Sequence, residues 1–173
     1  MAKRSDNLVL YIDYILTHES LETVWGSPLP KASEKGYPGI YDKMCYWVLF
    51  EDDLAIAYTC SLVMSDKYAF VGNTYVRKEY RTKGLHSLLL DYRNNAPHME
   101  GLTKVTVINP IEDSKMEHLT RVVSRLGYKK VESIDDISDI IPEWLYEDIA
   151  DDKQEIWRLD YDANRQSNII RRL

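Results

Sequence analysis

The sequence predicts a mixed α/β (α+β) fold in which helices flank a mostly antiparallel central sheet. Two observations carry this prediction. Three hydrophobic runs near the middle of the chain are joined by short polar turns, as in an antiparallel meander. After them, segments with helical spacing alternate with shorter strand-like runs. The 173 residues are enough for one sizeable core, so we expect a single domain over residues 1–173.

The N-terminal part is predicted to contain two helices and the first three strands. Four apolar residues recur at helical spacing after Ser5 or Asp6, either of which is a suitable N-cap: Leu8, Tyr11, Ile12 and Ile15. A second short helix is predicted over residues 21–25. The hydrophobic runs then predict strands at residues 44–50, 54–63 and 68–76.

The second half of the chain is predicted to alternate helices with strands. An apolar stripe at helical spacing begins at Leu85, and a strand follows over residues 103–108. Ser114 and Glu117 have the spacing of a capping box, which predicts the start of another helix. Gly127 is predicted to end that helix as a C-cap.

Two further strands, at residues 128–133 and 155–161, are predicted to flank an acidic insertion at residues 134–152. The acidic residues of this insertion could form a solvated face, or they could attract a cationic acceptor. Within it we expect a short helix whose start and anchors are Pro142, Trp144 and Leu145.

Charge and composition argue against several classes of function. The net charge of −6 does not favour nucleic-acid binding, which needs a positive face. Cys45 and Cys60 lie in apolar strand-like runs without metal-ligand spacing, so we interpret both as reduced core residues. No apolar run has the length of a membrane span, and the N-terminus lacks a signal-peptide core. We therefore expect a cytoplasmic protein that uses no metal, membrane or nucleic acid.

The most informative stretch lies between the third strand and the helix that follows it, and reads VRKEYRTKGLH. A hydrophobic run ends at Val76, a helix begins near Leu85, and Gly84 lies in the turn between them. Such a turn leaves backbone N–H groups at a helix start, where the helix dipole favours negative charge. Because Arg81 and Lys83 add positive charge, the turn predicts a phosphate or pyrophosphate site.

This stretch resembles the coenzyme-binding signature of the GNAT superfamily of N-acetyltransferases. The matching residues are Val76, Glu79, Tyr80, Arg81, Lys83 and Gly84. Three residues depart from the signature: Lys78 replaces a proline, Thr82 a glycine and His86 a small residue. The helix that runs into Arg125-Leu126-Gly127-Tyr128 is also similar to the family's helix ending in L-G-F. The resemblance implies a GNAT-like sheet with a V-shaped splay and acetyl-CoA as co-substrate.

The resemblance also implies which residues bind the coenzyme. Backbone groups of the turn would hold the pyrophosphate, and those of the strand end would hold the pantetheine arm and the thioester carbonyl. The implied coenzyme-binding residues are Tyr75, Val76, Arg81, Thr82, Lys83, Gly84, Leu85, His86, Ser87 and Asn109.

The residues that transfer protons are less clear from the sequence. Val123 stands where many family members have a tyrosine that acts as the general acid. Met116 stands where they often have an asparagine. Our candidate catalytic residues are therefore Tyr128, Asn73 and His118, with Tyr75, Ser114, Glu79, His86 or solvent as alternatives.

The resemblance implies that the protein transfers an acetyl group from acetyl-CoA to a primary amine of a small molecule or peptide. Direct attack in a ternary complex is expected, because the motif places neither cysteine near the turn. Trp25 and residues 31–41 are expected to line the acceptor site. The alternative is a non-catalytic protein of the same fold that binds CoA or a protein partner, and transfer of a longer acyl group is a third reading. A homodimer is a further expectation.

Overall fold

The structure is a computed structural model that describes residues 10–26, 44–109, 113–151 and 154–161. Its strands are β1 Leu10–Ile15, β2 Cys45–Glu51, β3 Leu54–Val63, β4 Tyr68–Val76, β5 Thr103–Ile108, β6 Lys129–Lys130 and β7 Glu155–Leu159. Its helices are α1 His18–Trp25, α2 Leu85–Asn94, α3 Asp113–Arg125 and α4 Glu143–Asp151. The strands form one sheet in the order β1-β2-β3-β4-β5-β7-β6, which confirms the predicted fold class.

The sheet is mostly antiparallel, with a parallel pair at its centre. Only two residues connect β2 to β3, and only antiparallel strands are joined by so short a turn. Strands β4 and β5 are parallel, and their pairing runs from Tyr68 opposite Thr103 to Phe70 opposite Val105. Both strands continue beyond these paired positions. The V-shaped splay stays a prediction.

The first element is a strand, so the predicted N-terminal helix is wrong where the structure describes it. Strand β1 pairs antiparallel with β2 from Leu10 opposite Glu51 to Ile15 opposite Tyr46. Tyr11 stacks on Phe50, with ring centroids 5.0 Å apart. The cross-strand pairing with β2 overrides the helical spacing of the apolar residues, because strand formation depends on contacts that the local sequence does not show. Ser5, Asp6 and Leu8 lie outside the described residues.

The second predicted helix is confirmed as α1. The hydroxyl of Thr17 accepts a hydrogen bond from the backbone N–H of Ser20, so the helix begins at His18, three residues earlier than predicted. Leu21 and Trp25 are buried, and they form the apolar face of this short helix.

The helix that follows β5 is confirmed, and its end is a Schellman motif. The N–H of Tyr128 donates to the carbonyl of Val123, and that of Gly127 donates to the carbonyl of Ser124. Gly127 has a φ of 94°, as this cap requires. The start differs from the prediction because α3 begins at Asp113, which places Ser114 inside the helix rather than at its N-cap.

Two predictions for the last third of the chain need correction. The strand predicted over residues 128–133 is only the two residues of β6, because Ser133 and Asp136 form a capping box that turns the chain away from the sheet. The helix predicted in the acidic insertion is confirmed as α4, but Trp144 does not anchor it. Trp144 is 64% exposed, whereas Leu145 is 4% exposed.

The chain divides into two compact units. The first comprises Met1–Cys60 and Asn73–Leu90, and the second comprises Ser61–Gly72 and Asp91–Leu173. Strands β3 and β4 and helix α2 contribute residues to both units. The second unit has an apolar core between β5, β7 and the insertion, which includes Val105, Ile137, Ile141, Leu145, Ile149 and Ile156. A single domain stays a prediction.

The second unit also contains a buried polar cluster. The guanidinium of Arg93, which is 2% exposed, donates to the side-chain oxygen of Asn94 at 3.0 Å and to the hydroxyl of Tyr128 at 3.4 Å. The Tyr128 hydroxyl in turn donates to the same Asn94 oxygen at 3.1 Å. Burial, and then the positive charge of Arg93, lower the pKa of Lys104 to about 8.

This lowered pKa predicts an alkaline gain in stability. The unfolded chain, where Lys104 has its ordinary pKa of 10.5, binds more protons than the folded chain above about pH 8. The free energy of unfolding should therefore rise from about pH 8 to about pH 10 in the wild type, and rise less in Lys104→Met. Urea denaturation across this range measures both slopes, and equal slopes would contradict the assignment.

Candidate functional site

The basic turn after β4 has an unusual backbone. A single 3-10 turn, Lys78–Tyr80, leads to Arg81, which is extended. Thr82 then has a φ of 66° and Gly84 a φ of 75°, both in the left-handed region. Helix α2 begins at the next residue, and its first backbone hydrogen bond runs from the N–H of Leu88 to the carbonyl of Gly84 at 3.1 Å. The N–H groups of the first helical residues therefore lie at the mouth of the turn.

The space above Gly84 is open. A Cβ atom added there would have no heavy atom within 4 Å, and the residue is exposed. Glycine tolerates the positive φ that brings the chain into the helix, and it leaves the backbone accessible. The turn has room for an anion that approaches the helix start closely.

Thr82 takes the left-handed conformation without being a glycine, which costs about 1–3 kcal/mol of backbone strain. Its hydroxyl donates to the carbonyl of Arg81 at 2.6 Å and so supports the turn locally. Thr82 therefore adopts, at a local cost, a conformation that glycine adopts freely.

Two basic side chains of the turn, Arg81 and Lys83, lie over aromatic rings. The Arg81 guanidinium carbon is 5.5 Å from the centroid of the Tyr75 ring, and the Lys83 ammonium is 5.0 Å from that of the Tyr80 ring. Arg81 also donates from Nε to the carbonyl oxygen of Val76 at 3.0 Å. Both cations are exposed and lie beside the mouth of the turn.

Two side chains, those of Tyr80 and Arg77, attach the turn to the sheet and to helix α1 within the first unit. The Tyr80 hydroxyl donates to a carboxylate oxygen of Glu51 at 2.5 Å, and this hydrogen bond is the main cause of a raised Tyr80 pKa. Arg77 donates to the carbonyl of Ala55 at 2.6 Å and to that of Trp25 at 2.7 Å. Its guanidinium carbon also lies 4.1 Å from the centroid of the Trp25 ring.

An aromatic cluster lies under the strand end in the same unit. Trp25 meets the rings of Tyr58 and Tyr75 edge-on, at 5.1 and 5.7 Å between centroids. Tyr58 stacks on Tyr75, and burial is the main cause that raises the pKa of Tyr58 to about 12. Residues 31–41, which the sequence assigns to the same acceptor region, lie outside the described residues.

The sequence analysis missed Arg77, Glu51 and Tyr58 as parts of this site. Arg77 was one basic residue among several, and its two carbonyl partners are 22 and 52 residues away in the chain. The only local signal was its position directly after β4. Nothing in the local sequence of Glu51 or Tyr58 indicates their contacts.

The three candidate catalytic residues lie in different surroundings. Asn73, in the first unit with the turn, interrupts β4 with a φ of 45° and is exposed. His118 is an exposed residue of α3 in the second unit. Tyr128, also in the second unit, is buried, and burial raises its pKa. Val123, at the position of the family's acidic tyrosine, is buried in the core as expected.

The coenzyme-binding candidates from Tyr75 to Ser87 lie together in the first unit. Asn109 belongs to the second unit, where its side-chain oxygen accepts a hydrogen bond from the amide of Gln154. Across the described residues, no group of three or more His, Cys, Asp or Glu side chains is arranged to hold a metal ion. None of the described helices has the length and apolarity to cross a membrane.

Comparisons with known proteins identify the fold. No protein-family model matches the sequence, and no curated protein sequence matches it. Among solved structures, the chain is similar to N-acetylglutamate synthase from Neisseria gonorrhoeae complexed with coenzyme A and L-arginine, at a TM-score of 0.58 and 10% identity. That match covers 91% of this chain and 34% of the synthase, so the chain spans about a third of the synthase's length.

Two shorter proteins match over nearly their whole length. An acyl-CoA N-acyltransferase from Pseudomonas aeruginosa matches at a TM-score of 0.57 and 14% identity, over 87% of this chain and 99% of that one. Escherichia coli ElaA matches at 0.56 and 12% identity, over 87% and 98% of the two chains. The chain therefore has the fold of the GNAT superfamily of N-acetyltransferases.

Proposed function

We propose that the protein is an N-acetyltransferase that transfers an acetyl group from acetyl-CoA to a primary amine of a small molecule or peptide. The observation that carries this proposal is the turn between β4 and α2. Two left-handed residues, Thr82 and Gly84, bring backbone N–H groups to the start of a helix under open space. This arrangement, on a GNAT fold, suits a pyrophosphate.

The residues around the turn fit acetyl-CoA. Backbone N–H groups of residues 82–87 would hold the pyrophosphate, and Arg81 and Lys83 would add charge-assisted hydrogen bonds. The similar Neisseria synthase is complexed with coenzyme A, which supports the same ligand class here. When bound, the coenzyme supplies the thioester that is the acetyl donor.

The strand end has a positioning role in this proposal. Backbone groups of Tyr75 and Val76 would bind the pantetheine arm and fix the thioester close to the attacking amine. Asn109 is proposed as a further coenzyme contact. The aromatic cluster behind Tyr75 holds that strand end in place, because Tyr75 packs against both Trp25 and Tyr58.

The reaction also needs residues that move protons. An amine must be neutral before it attacks, and the departing thiolate needs a proton. His118 and Tyr128 are the candidates for this proton transfer, whereas the carboxamide of Asn73 does not titrate and is a candidate polar contact to the reactants. Burial raises the pKa of Tyr128, so its phenol stays protonated. A protonated phenol is what a proton donor requires.

Removing the Tyr128 hydroxyl should lower stability. The buried oxygen donates to Asn94 and accepts from Arg93, so we expect Tyr128→Phe to reduce the free energy of unfolding by about 1 kcal/mol. Denaturation and steady-state kinetics are measured on the same preparation. A fall in kcat of about 100-fold or more would assign the general acid to Tyr128, and an unchanged kcat would leave the hydroxyl structural. Unchanged stability would contradict the hydrogen-bonding account.

The experiment that tests the proposed function is an acceptor screen. Purified protein is mixed with acetyl-CoA and a panel of amines that includes polyamines, amino acids and lysine peptides, and release of free thiol is recorded. Thiol release that depends on both amine and protein is the expected result. Coenzyme binding without turnover of any amine would favour the alternative, a non-catalytic protein that binds CoA.

A further inference from the structure

The side chain of Arg81 lies across the strand end that the proposed function assigns to the pantetheine arm. Its Nε donates to the carbonyl oxygen of Val76 at 3.0 Å. Its guanidinium carbon is 5.5 Å from the centroid of the Tyr75 ring. The same side chain thus covers the last carbonyl of β4 and the ring of the preceding residue.

This position conflicts with a bound pantetheine arm. A carbonyl oxygen can accept two hydrogen bonds, so the bond from Arg81 alone would not exclude a second donor at Val76. The guanidinium, however, also fills space beside Tyr75, where the arm would pass. This one side chain therefore occupies one acceptor position of the carbonyl and space beside the Tyr75 ring.

We propose that Arg81 is a specificity-determining gate, closed over the strand end in the free protein and drawn away by the coenzyme's phosphates. The inference rests on the proposed function, because it assumes both that the turn binds a pyrophosphate and that the pantetheine arm lies along the strand end at Tyr75 and Val76. Phosphate is the stronger partner: it offers the guanidinium charged, bidentate hydrogen bonds. Among the described residues, the contacts that hold Arg81 closed are a hydrogen bond to one neutral carbonyl and an exposed cation–π contact.

Lys83 provides an internal comparison. It is a cation of the same turn, is exposed, and lies over the ring of Tyr80. Tyr80 precedes Arg81 in the turn and is not part of the strand end, since β4 ends at Val76. Lys83 therefore has the same charge as Arg81 and also contacts an aromatic ring, but it does not cover the strand end.

The gate gives Arg81 opposite effects on two ligands. A thioester without phosphates has nothing to draw the guanidinium away, so it must compete with the closed side chain. Truncating Arg81 should weaken coenzyme A, which loses a phosphate contact, and should strengthen pantetheine, which no longer meets the closed gate. A residue with a merely structural role would shift both ligands in the same direction.

The test is a calorimetric titration of wild type, Arg81→Ala and Lys83→Ala with coenzyme A and with pantetheine. For Arg81→Ala we expect coenzyme A to bind about tenfold more weakly and pantetheine about threefold more tightly. Lys83→Ala should weaken coenzyme A and leave pantetheine unchanged. The kcat/KM for S-acetylpantetheine, which can be measured without saturating the enzyme, should rise above the wild-type value in Arg81→Ala alone.

The outcomes separate the gate from the proposed function. If wild type binds coenzyme A but Arg81→Ala weakens both ligands or leaves pantetheine unchanged, the gate is overturned and the coenzyme site stands. If Lys83→Ala strengthens pantetheine equally, the effect is one of turn charge, and the gate is again overturned. If folded wild type does not bind coenzyme A, the proposed function fails and the gate fails with it.

Discussion

Gly84→Asp is expected to weaken acetyl-CoA binding by about 100-fold or more while the protein stays folded. Three effects act together on the ligand. The new carboxylate repels the pyrophosphate, the side chain enters space that is open in the wild type, and the left-handed conformation is strained for a residue with a Cβ. Calorimetric titration with acetyl-CoA measures the effect directly.

Gly101→Asp is a matched control for this variant. Gly101 has a φ of 77°, and an added Cβ would also have no heavy atom within 4 Å. Gly101 comes just before β5 and Gly84 comes after β4, so Gly101 is not part of the basic turn. Both variants should lose about 1 kcal/mol of stability through backbone strain, but only Gly84→Asp should lose the coenzyme. Equal coenzyme affinity in Gly84→Asp and wild type would refute the site assignment.

Arg77→Ala is expected to lower the free energy of unfolding by about 2–4 kcal/mol. The half-buried guanidinium donates to two backbone carbonyls and lies over the Trp25 ring. One of these carbonyls belongs to the last residue of α1, where a positive charge is favourable to the helix dipole. Urea denaturation followed by intrinsic fluorescence measures the loss.

Two substitutions bracket the cause of this loss. Arg77→Lys keeps the charge but not the fork that reaches two carbonyls, so we expect it to recover less than half of the lost stability. Lys78→Ala removes the neighbouring exposed charge and should change stability by less than about 0.5 kcal/mol. If Arg77→Ala were no more destabilising than Lys78→Ala, the inferred role of Arg77 in joining α1 and β3 to the end of β4 would be wrong.

The sequence predicts the middle of the fold well and its first element badly. Strands β3 and β4 have the predicted bounds because hydrophobic runs between polar turns are a strong local signal. The prediction for the N-terminal segment was wrong because its helical spacing is overridden by pairing with β2. Local pattern alone does not contain that information.

The candidate site was likewise predictable only where its features are local in the sequence. The turn, its glycine and the following helix are local features, and each was readable from residues 76–86. The contacts that hold the turn, Arg77 with Trp25 and Tyr80 with Glu51, join residues far apart in the chain. Trp144 is an error of another kind. Its apolar character predicted that it anchors a helix, but the structure leaves its ring exposed.

The measurement that tests the central claim most directly is a calorimetric titration of the wild-type protein with acetyl-CoA. The account predicts saturable binding at one site per chain, with a dissociation constant of about 1–100 μM. The affinity should fall as salt is raised, since charged groups of the turn would contact phosphates. Absence of heat from binding, with the protein shown to be folded by its cooperative melting, would contradict it.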